Sequence, residues 1–300
     1  MSAGLLVMAY GTPASPDEVE AYYTHIRRGR PPTPEQLADL VRRYDAIGGI
    51  SPLAQRTAAQ VRALAVAVGD GWVTELGNKH AAPFVEDGVG ALVAAGVDRI
   101  VGVVLAPHYS AGSVGQYHDR ARAAVPEGIL YVAVEHWYDL EAFVDHQSDA
   151  LQLLLDEAPE RTKVLFTAHS LPERVLAGDP YPEQLQDSAQ AIAERAGLLR
   201  WGEWAIAWQS AGRTPEPWRG PDVLAVIDDL ADTGCADGVV VVPQGFTSDH
   251  LEVVYDLDIE AAALAERRGL WFARTPVVND DPSVMRALAE RAVHALEEAS

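Results

Sequence analysis

Short apolar runs recur along the chain, each followed by a longer stretch in which apolar residues return every three or four positions. Eight runs read as strands: residues 4–10, 72–77, 100–106, 131–135, 163–168, 204–208, 238–243 and 270–273. Gly238-Val239-Val240-Val241-Val242-Pro243 is the plainest of them, apolar throughout and of strand length, the pattern of a strand buried on both faces. The stretches 34–45, 53–68, 83–95, 141–157, 183–196, 221–233, 252–268 and 282–298 carry the helical period. Alternating strands and helices predict parallel sheets with helices on both faces.

Eight such units could close one barrel, but two features favour two sheets. A polar linker with Pro159 interrupts the middle of the chain, and the two halves open alike. The first strand ends in Tyr10-Gly11-Thr12-Pro13 and the fifth in His169-Ser170-Leu171-Pro172. The prediction is an α/β protein of two Rossmann-like, doubly wound domains, each with a four-stranded parallel sheet, facing one another across a cleft. The expected boundaries are 1–158 and 159–273, with 274–300 a C-terminal helix packing back on the N-terminal domain.

Charge narrows the choice of partner. The 300 residues carry a formal charge of −21, which disfavours nucleic acid and suits the attraction of cations as well as plain solubility. One stretch reverses the balance: Arg27, Arg28, Arg30, Arg42 and Arg43 stand against Glu35 and Asp39. That cluster fits either a solvated helix face or a partner bearing carboxylates or phosphates. No apolar run reaches the ~18 residues of a membrane span, and the opening residues lack a basic leader, so cytoplasmic residence is expected. With Cys235 the one cysteine, an internal disulfide, an iron–sulfur cluster or a cysteine zinc site is excluded. Neither G-x-G-x-x-G after a strand nor a P-loop is present, so nucleotide binding lacks support.

The residues able to do chemistry gather where strands end. Glu252, Asp256 and Glu260 are spaced by four, which on a helix stacks three carboxylates along one face. His169 ends the fifth strand, and a His and a Glu from separate strand ends can hold a divalent metal in an open, exchangeable site. His250, two before Glu252, would not share its face on a helix. Tyr10, Lys79-His80 and Pro107-His108-Tyr109 also follow strands, and Tyr22, Tyr23, Tyr44, Tyr117, Trp208 and Trp218 supply aromatic surface. A flat anionic ligand would suit both the aromatics and the arginines.

In order along nearly the whole chain, several segments resemble the ferrochelatases, most closely the bacterial coproporphyrin III ferrochelatases. They are 4–13; Tyr22-Tyr23-Thr24-His25-Ile26-Arg27-Arg28-Gly29-Arg30; Arg43-Tyr44 with Ile47-Gly48-Gly49-Ile50-Ser51-Pro52-Leu53; Ala168-His169-Ser170-Leu171-Pro172; Trp208-Gln209-Ser210 with Pro217-Trp218 and Gly220-Pro221-Asp222; and Asp249-His250-Leu251-Glu252. The resemblance implies a porphyrin cleft, insertion of Fe2+ into coproporphyrin III to give its iron complex, and a place in haem biosynthesis. It implies that His169 and Glu252 are the inner metal pair, that Tyr10 lies on the opposite face and ligates product iron, and that Asp256 and Glu260 form an outer metal or proton path. It assigns Arg27, Arg43, Tyr44, Ser51 and Tyr117 to the porphyrin pocket, and Lys79 and His80 to its edge. Trp218 joins these candidates because its loop position itself suits a pocket-lining aromatic. It further implies no permanently bound cofactor, no integral membrane association, and transient contact with the preceding and following haem-pathway enzymes. Gln244 and Thr247 stand where that family usually carries apolar residues. The competing expectations are a protoporphyrin IX ferrochelatase, another tetrapyrrole chelatase such as one for cobalt and sirohydrochlorin, and a non-catalytic porphyrin or haem carrier.

Overall fold

The computed structural model describes residues 3–200, 202–212 and 214–299. Residues 1, 2, 201, 213 and 300 of the expected segments lie outside that set. One sheet holds β1 (Ala3–Ala9), β2 (Trp72–Asn78), β3 (Arg99–Val104) and β4 (Leu130–Val134), in the spatial order β2-β1-β3-β4. The other holds β5 (Thr162–His169), β6 (Trp204–Gln209), β7 (Gly238–Val242) and β8 (Trp271–Arg274), in the order β6-β5-β7-β8. Every pairing in both is parallel. All eight expected strands are present, each displaced by no more than a residue or two at its ends.

The two orders are the same permutation. In each, the chain builds outward to one side, then crosses back to build on the other, so a switch point lies between β1 and β3 and again between β5 and β7. Crossovers leaving in opposite directions open a crevice there, at the carboxyl ends of the strands.

The helices follow from the apolar period. In chain order they are α1 (Val19–Ile26), α2 (Pro34–Ala46), α3 (Leu53–Val68), α4 (Val85–Ala94), α5 (Val114–Ala124), α6 (Glu141–Leu155), α7 (Glu173–Leu176), α8 (Tyr181–Arg195), α9 (Val223–Thr233), α10 (Leu251–Val253), α11 (Ala262–Arg268) and α12 (Pro282–Glu298). α2 starts on a capping box, with the Gln36 amide donating to the Thr33 hydroxyl and the Thr33 amide donating to the Gln36 side chain. α1 and α5 were not marked by the apolar pattern. α1 buries only Val19, and α5 buries Tyr117 and His118 beside small residues, so neither shows an aliphatic stripe.

Strand alternation sorts the core. Leu5 and Val7 of β1 face a core shared with α3, α6, α8, α12 and the inner residues Val164, Phe166, Val240 and Val242 of the second sheet. Leu6 and Met8 face the other way, against α4 and α5. Leu165, Val239 and Val241 likewise turn toward α9, Val253 and Leu257. α12 crosses back to pack on α3, β3, β4 and α6, all of the N-terminal half.

The stretch expected as one helix over 252–268 is not uniform. Between α10 and α11 lies a π-helical segment, Val254–Ala261. Its wider turn changes which face a spacing of four addresses, and such segments are frequent at functional sites.

Candidate active site

His169 is the last residue of β5, and Glu252 lies just beyond the loop that leaves β7. These strands flank the second switch point, so the topology alone directs both side chains to one crevice. The His169 Nδ1–H donates to the Ser170 carbonyl at 2.5 Å, which turns Nε2 toward Glu252. Nε2 and Glu252 Oε1 are 3.6 Å apart, ion-pair distance but wider than a hydrogen bond. An ion with bonds of about 2.1 Å to each atom bridges such a gap at an open angle.

His250 corrects the expectation drawn from helical spacing. It precedes α10 with an extended backbone (φ −156°), so the face rule for helices does not apply to it. Its Nδ1–H donates to the Ser248 carbonyl at 2.9 Å, and its Nε2 lies 3.7 Å from Glu252 Oε2. Glu252 therefore stands between two imidazoles, one on each oxygen. Gln209 Nε2, at the end of β6, donates to the Glu252 carbonyl at 3.0 Å and holds the backbone in place.

Electrostatics couple the pair. Burial disfavours the charge on His169, but the Glu252 carboxylate, the Ser170 carbonyl and Asp256 outweigh it and raise the imidazole to about 9. Burial likewise opposes ionisation of Glu252, yet His169 and His250 hold it well below the usual carboxylate range. Near neutrality the pair is an imidazolium beside a carboxylate.

The facing wall is phenolic. Tyr10 follows β1 at the first switch point, the position in the first half that His169 occupies in the second. It keeps 44% of its surface exposed. Its hydroxyl is pushed well above the ordinary value by burial, by the charge of Glu252 and by Tyr44. Tyr22 and Tyr181 feel the same carboxylate. Tyr22 donates to the Gly11 carbonyl at 2.9 Å, and the Tyr44 and Thr12 hydroxyls lie 3.5 Å apart. Tyr117 is buried, with Lys79 Nζ 4.9 Å above its ring.

The outer carboxylates behave differently. Asp256 is buried, and burial together with Glu252 and Glu260 raises it to about 6 against the lowering effects of Ser210 and Arg43. Ser210 Oγ donates to Asp256 Oδ2 at 2.5 Å, and Arg43 NH1 lies 3.3 Å from Oδ1. Ser210 has φ +59°, a left-handed backbone uncommon for a residue with a side chain, and its hydroxyl is the group so aimed. Glu260 is half-buried, one step further along.

The remaining candidates divide. Arg43 pairs with Asp256 and Asp39, and its guanidinium lies 4.8 Å above the Tyr255 ring, so the structure joins it to the carboxylate row. Arg27 caps α1 at the cleft's N-terminal rim, lies 5.5 Å above the Tyr23 ring and donates to the Arg30 carbonyl. His80 packs its ring 4.6 Å from Tyr10 and meets His25 at 3.0 Å between Nδ1 atoms. Burial and the neighbouring Lys79, His25 and Arg120 push His80 down to about 3, so it is neutral, and burial with Arg120 and Arg28 brings Lys79 to about 8. Ser51 is buried and accepts from the Leu53 amide at the start of α3. Trp218 bridges to Pro172, three residues past His169, and donates to Thr214.

Three participants carried no role in the sequence reading: His250 as a neighbour of Glu252, Ser210 and Tyr181. Tyr181 donates to the His169 carbonyl at 3.4 Å from the start of α8. Ser210 stood within a segment already singled out, but its hydroxyl's target lies 46 residues on, beyond any local pattern. Among the described residues no three or more His, Cys, Asp or Glu side chains converge as a cage for a metal ion.

Known proteins are similar to this chain along nearly its whole length. Coproporphyrin III ferrochelatase of Geobacillus thermodenitrificans is 45% identical, covering 96% of this chain and 94% of its own. That of Bacillus subtilis is 44% identical, with 95% of each covered. Among solved structures, the sirohydrochlorin chelatase SirB of Bacillus subtilis subspecies spizizenii, in complex with cobalt, superposes with a TM-score of 0.58 over 99% of this chain and 97% of its own. At 14% identity that likeness speaks for the fold alone. The family model described as Ferrochelatase matches residues 2–296, and the chain belongs to that family.

Proposed function

We propose that the protein inserts Fe2+ into coproporphyrin III, releasing two protons, as a step of haem biosynthesis. The observation that carries this is the His169–Glu252 pair at 3.6 Å, whose carboxylate also acts on the Tyr10 hydroxyl. Relatives at 43–45% identity over nearly their whole length are coproporphyrin III ferrochelatases, which supports the choice of porphyrin. The arginines at the rim supply charge-assisted contacts that suit a substrate with four propionates.

Iron is a substrate here, and the reading needs no resident cofactor. Fe2+ docks between His169 Nε2 and Glu252. Because His169 is protonated at neutral pH, docking expels that proton. A pair supplies too few ligands to retain the ion, so the pyrrole nitrogens complete its coordination and take it. As the metal leaves, His169 is free to accept the first pyrrole proton, and the imidazolium–carboxylate pair re-forms. Asp256, poised near neutrality by burial, accepts the next proton and passes it toward Glu260 and solvent. Tyr10 stays protonated as a phenol through this and presents its oxygen to the other face of the ring.

The protein acts in the cytoplasm in this reading, and among the described residues no helix is long and apolar enough to cross a membrane. Its porphyrin comes from, and its product goes to, neighbouring enzymes by transient contact. The deciding experiment follows Fe2+ insertion by absorbance with coproporphyrin III and protoporphyrin IX in parallel. Saturable turnover favouring coproporphyrin III is expected. Preference for protoporphyrin IX, or stoichiometric binding without turnover, overturns the reading.

A further inference from the structure

The loop Pro243–His250, which delivers His250 and Glu252, leaves the C-terminal sheet but is also held by side chains and backbone of the N-terminal half. Gln60 of α3 is fully buried. Its Nε2 donates to the Thr247 carbonyl at 3.1 Å and to the Asn279 carbonyl at 2.9 Å, and its Oε1 accepts from the Ser248 hydroxyl at 2.9 Å. Thr247 Oγ1 donates to the Leu105 carbonyl, just past β3, at 2.8 Å. These partners are 142 to 219 residues apart in sequence. Both amide protons of Gln60 and its oxygen are occupied, and a buried network with its members satisfied specifies one arrangement.

The start of the same loop is tied to β5, two residues before His169. Gly245 donates its amide to the Thr167 carbonyl at 3.1 Å, and a Cβ there would stand 2.5 Å from that of Ala168. Gln244, also buried, receives the Ser188 hydroxyl at 2.9 Å and donates to the Leu185 carbonyl at 3.0 Å. None of these groups reaches the cleft chemistry directly. Their effect passes through one link: the Ser248 carbonyl, which receives His250 Nδ1–H and so sets the imidazole beside Glu252.

We infer that Gln60 and Thr247 are positioning residues for the metal pair, fixing the loop so that His250 and Glu252 stand at a set separation from His169. The Gln60 and Thr247 hydrogen bonds join the two halves at this loop. The inference rests on the metal pair assigned above.

The test separates metal binding from turnover. Co2+ alone is titrated into the wild type, Thr247→Val, Thr247→Ser and Ser248→Ala, and coproporphyrin III affinity is measured by fluorescence quenching. Thr247→Val keeps the side-chain shape and removes the hydroxyl; a misplacement near 1 Å costs up to about a hundredfold in such sites, and a loss of about tenfold in Co2+ affinity and kcat is expected. Porphyrin affinity should stay within about twofold, and Thr247→Ser should restore Co2+ binding. Ser248→Ala, which removes one hydrogen bond and almost no volume, should show the same loss to a smaller degree and serves if Thr247→Val does not fold. Wild-type Co2+ affinity in the folded Val and Ala variants overturns the inference, as does failure of Ser at 247 to rescue. If the wild type binds Co2+ yet never metallates coproporphyrin III, the proposed function falls while this inference stands on the titration.

Discussion

His169 Nε2 and Glu252 Oε1 lie 3.6 Å apart although 83 residues separate them in the chain, a meeting arranged by the strand order β5-β7 at the second switch point. The His169 side chain is oriented by the Ser170 carbonyl, and the Glu252 backbone is held at its carbonyl by the Gln209 side chain. The gap is held open by these supports and not closed by a hydrogen bond, which leaves it fit for an ion.

Replacing His169 with Ala should lower kcat for Fe2+ insertion by at least about a hundredfold, the scale of losing a positioned proton acceptor. Coproporphyrin III binding, followed by fluorescence quenching, should be largely kept, since the ring rests on the opposite wall. Turnover near the wild-type rate in this variant would remove His169 from the mechanism.

The His169–Glu252 pair also gives stability a pH dependence. The imidazole is raised from 6.5 to about 9 on folding, so its stabilising effect is complete below 6.5 and is lost as pH rises through 9. The wild-type melting temperature should fall between pH 7 and 10, and the fall should be shallower in His169→Ala. Parallel slopes in the two proteins would contradict the coupling.

Asp256 should set the acid limb of activity. Its carboxyl is raised to about 6, so below that pH it holds a proton and cannot accept one. kcat should decline as pH drops through 6, and Asp256→Asn should be slower and lack that limb. Ser210→Ala removes a hydrogen bond that favours the ionised carboxylate, so it should move the limb to higher pH. A pH–kcat profile of the three proteins checks both statements.

His250→Ala should weaken metal use more than it slows a saturated enzyme. Only one imidazole would then remain beside Glu252, and KM for Fe2+ should rise about tenfold, the scale on which supporting groups tune metal sites. Steady-state rates at varied Fe2+ and fixed coproporphyrin III measure it. An unchanged KM would mean that the 3.7 Å approach of His250 has no part in holding the ion.

Gly245→Ala should destabilise the fold by about 1–3 kcal/mol, because the new methyl would meet Ala168 Cβ at 2.5 Å and Cα at 2.8 Å, both on a buried strand. Urea unfolding measures the loss directly. A melting curve identical to the wild type would show that the loop can lift from β5 without cost.

Much of this architecture was legible before any coordinates. β1 and β7 are legible as unbroken apolar runs, because a parallel strand covered on both faces has no polar side to alternate with; β1 is buried at all seven positions and β7 at all five. α1 and α5 show no clear apolar period because α1 buries a single residue, Val19, and α5 buries Gly115, Tyr117, His118 and Ala121 beside one valine, Val114. His169 and Glu252 could be singled out by their place after strands and by family likeness. The π-helical turn over Val254–Ala261 could not, since a widened turn leaves the residue pattern nearly unchanged.

Local sequence determined what depends on local causes: where the strands and the main helices form, which residues cap them, and that the chain splits into two like halves. Tertiary structure alone decided what depends on approach between distant segments. His250 reaches Glu252 only because the loop before α10 is extended, Arg43 is bound to Asp256 from 213 residues away, and Gln60 of one half holds the loop that carries the other half's carboxylate. Such contacts leave no periodicity in the chain, because hydrogen bonds and ion pairs between remote segments are set by how the two sheets stack and not by the order of neighbouring residues.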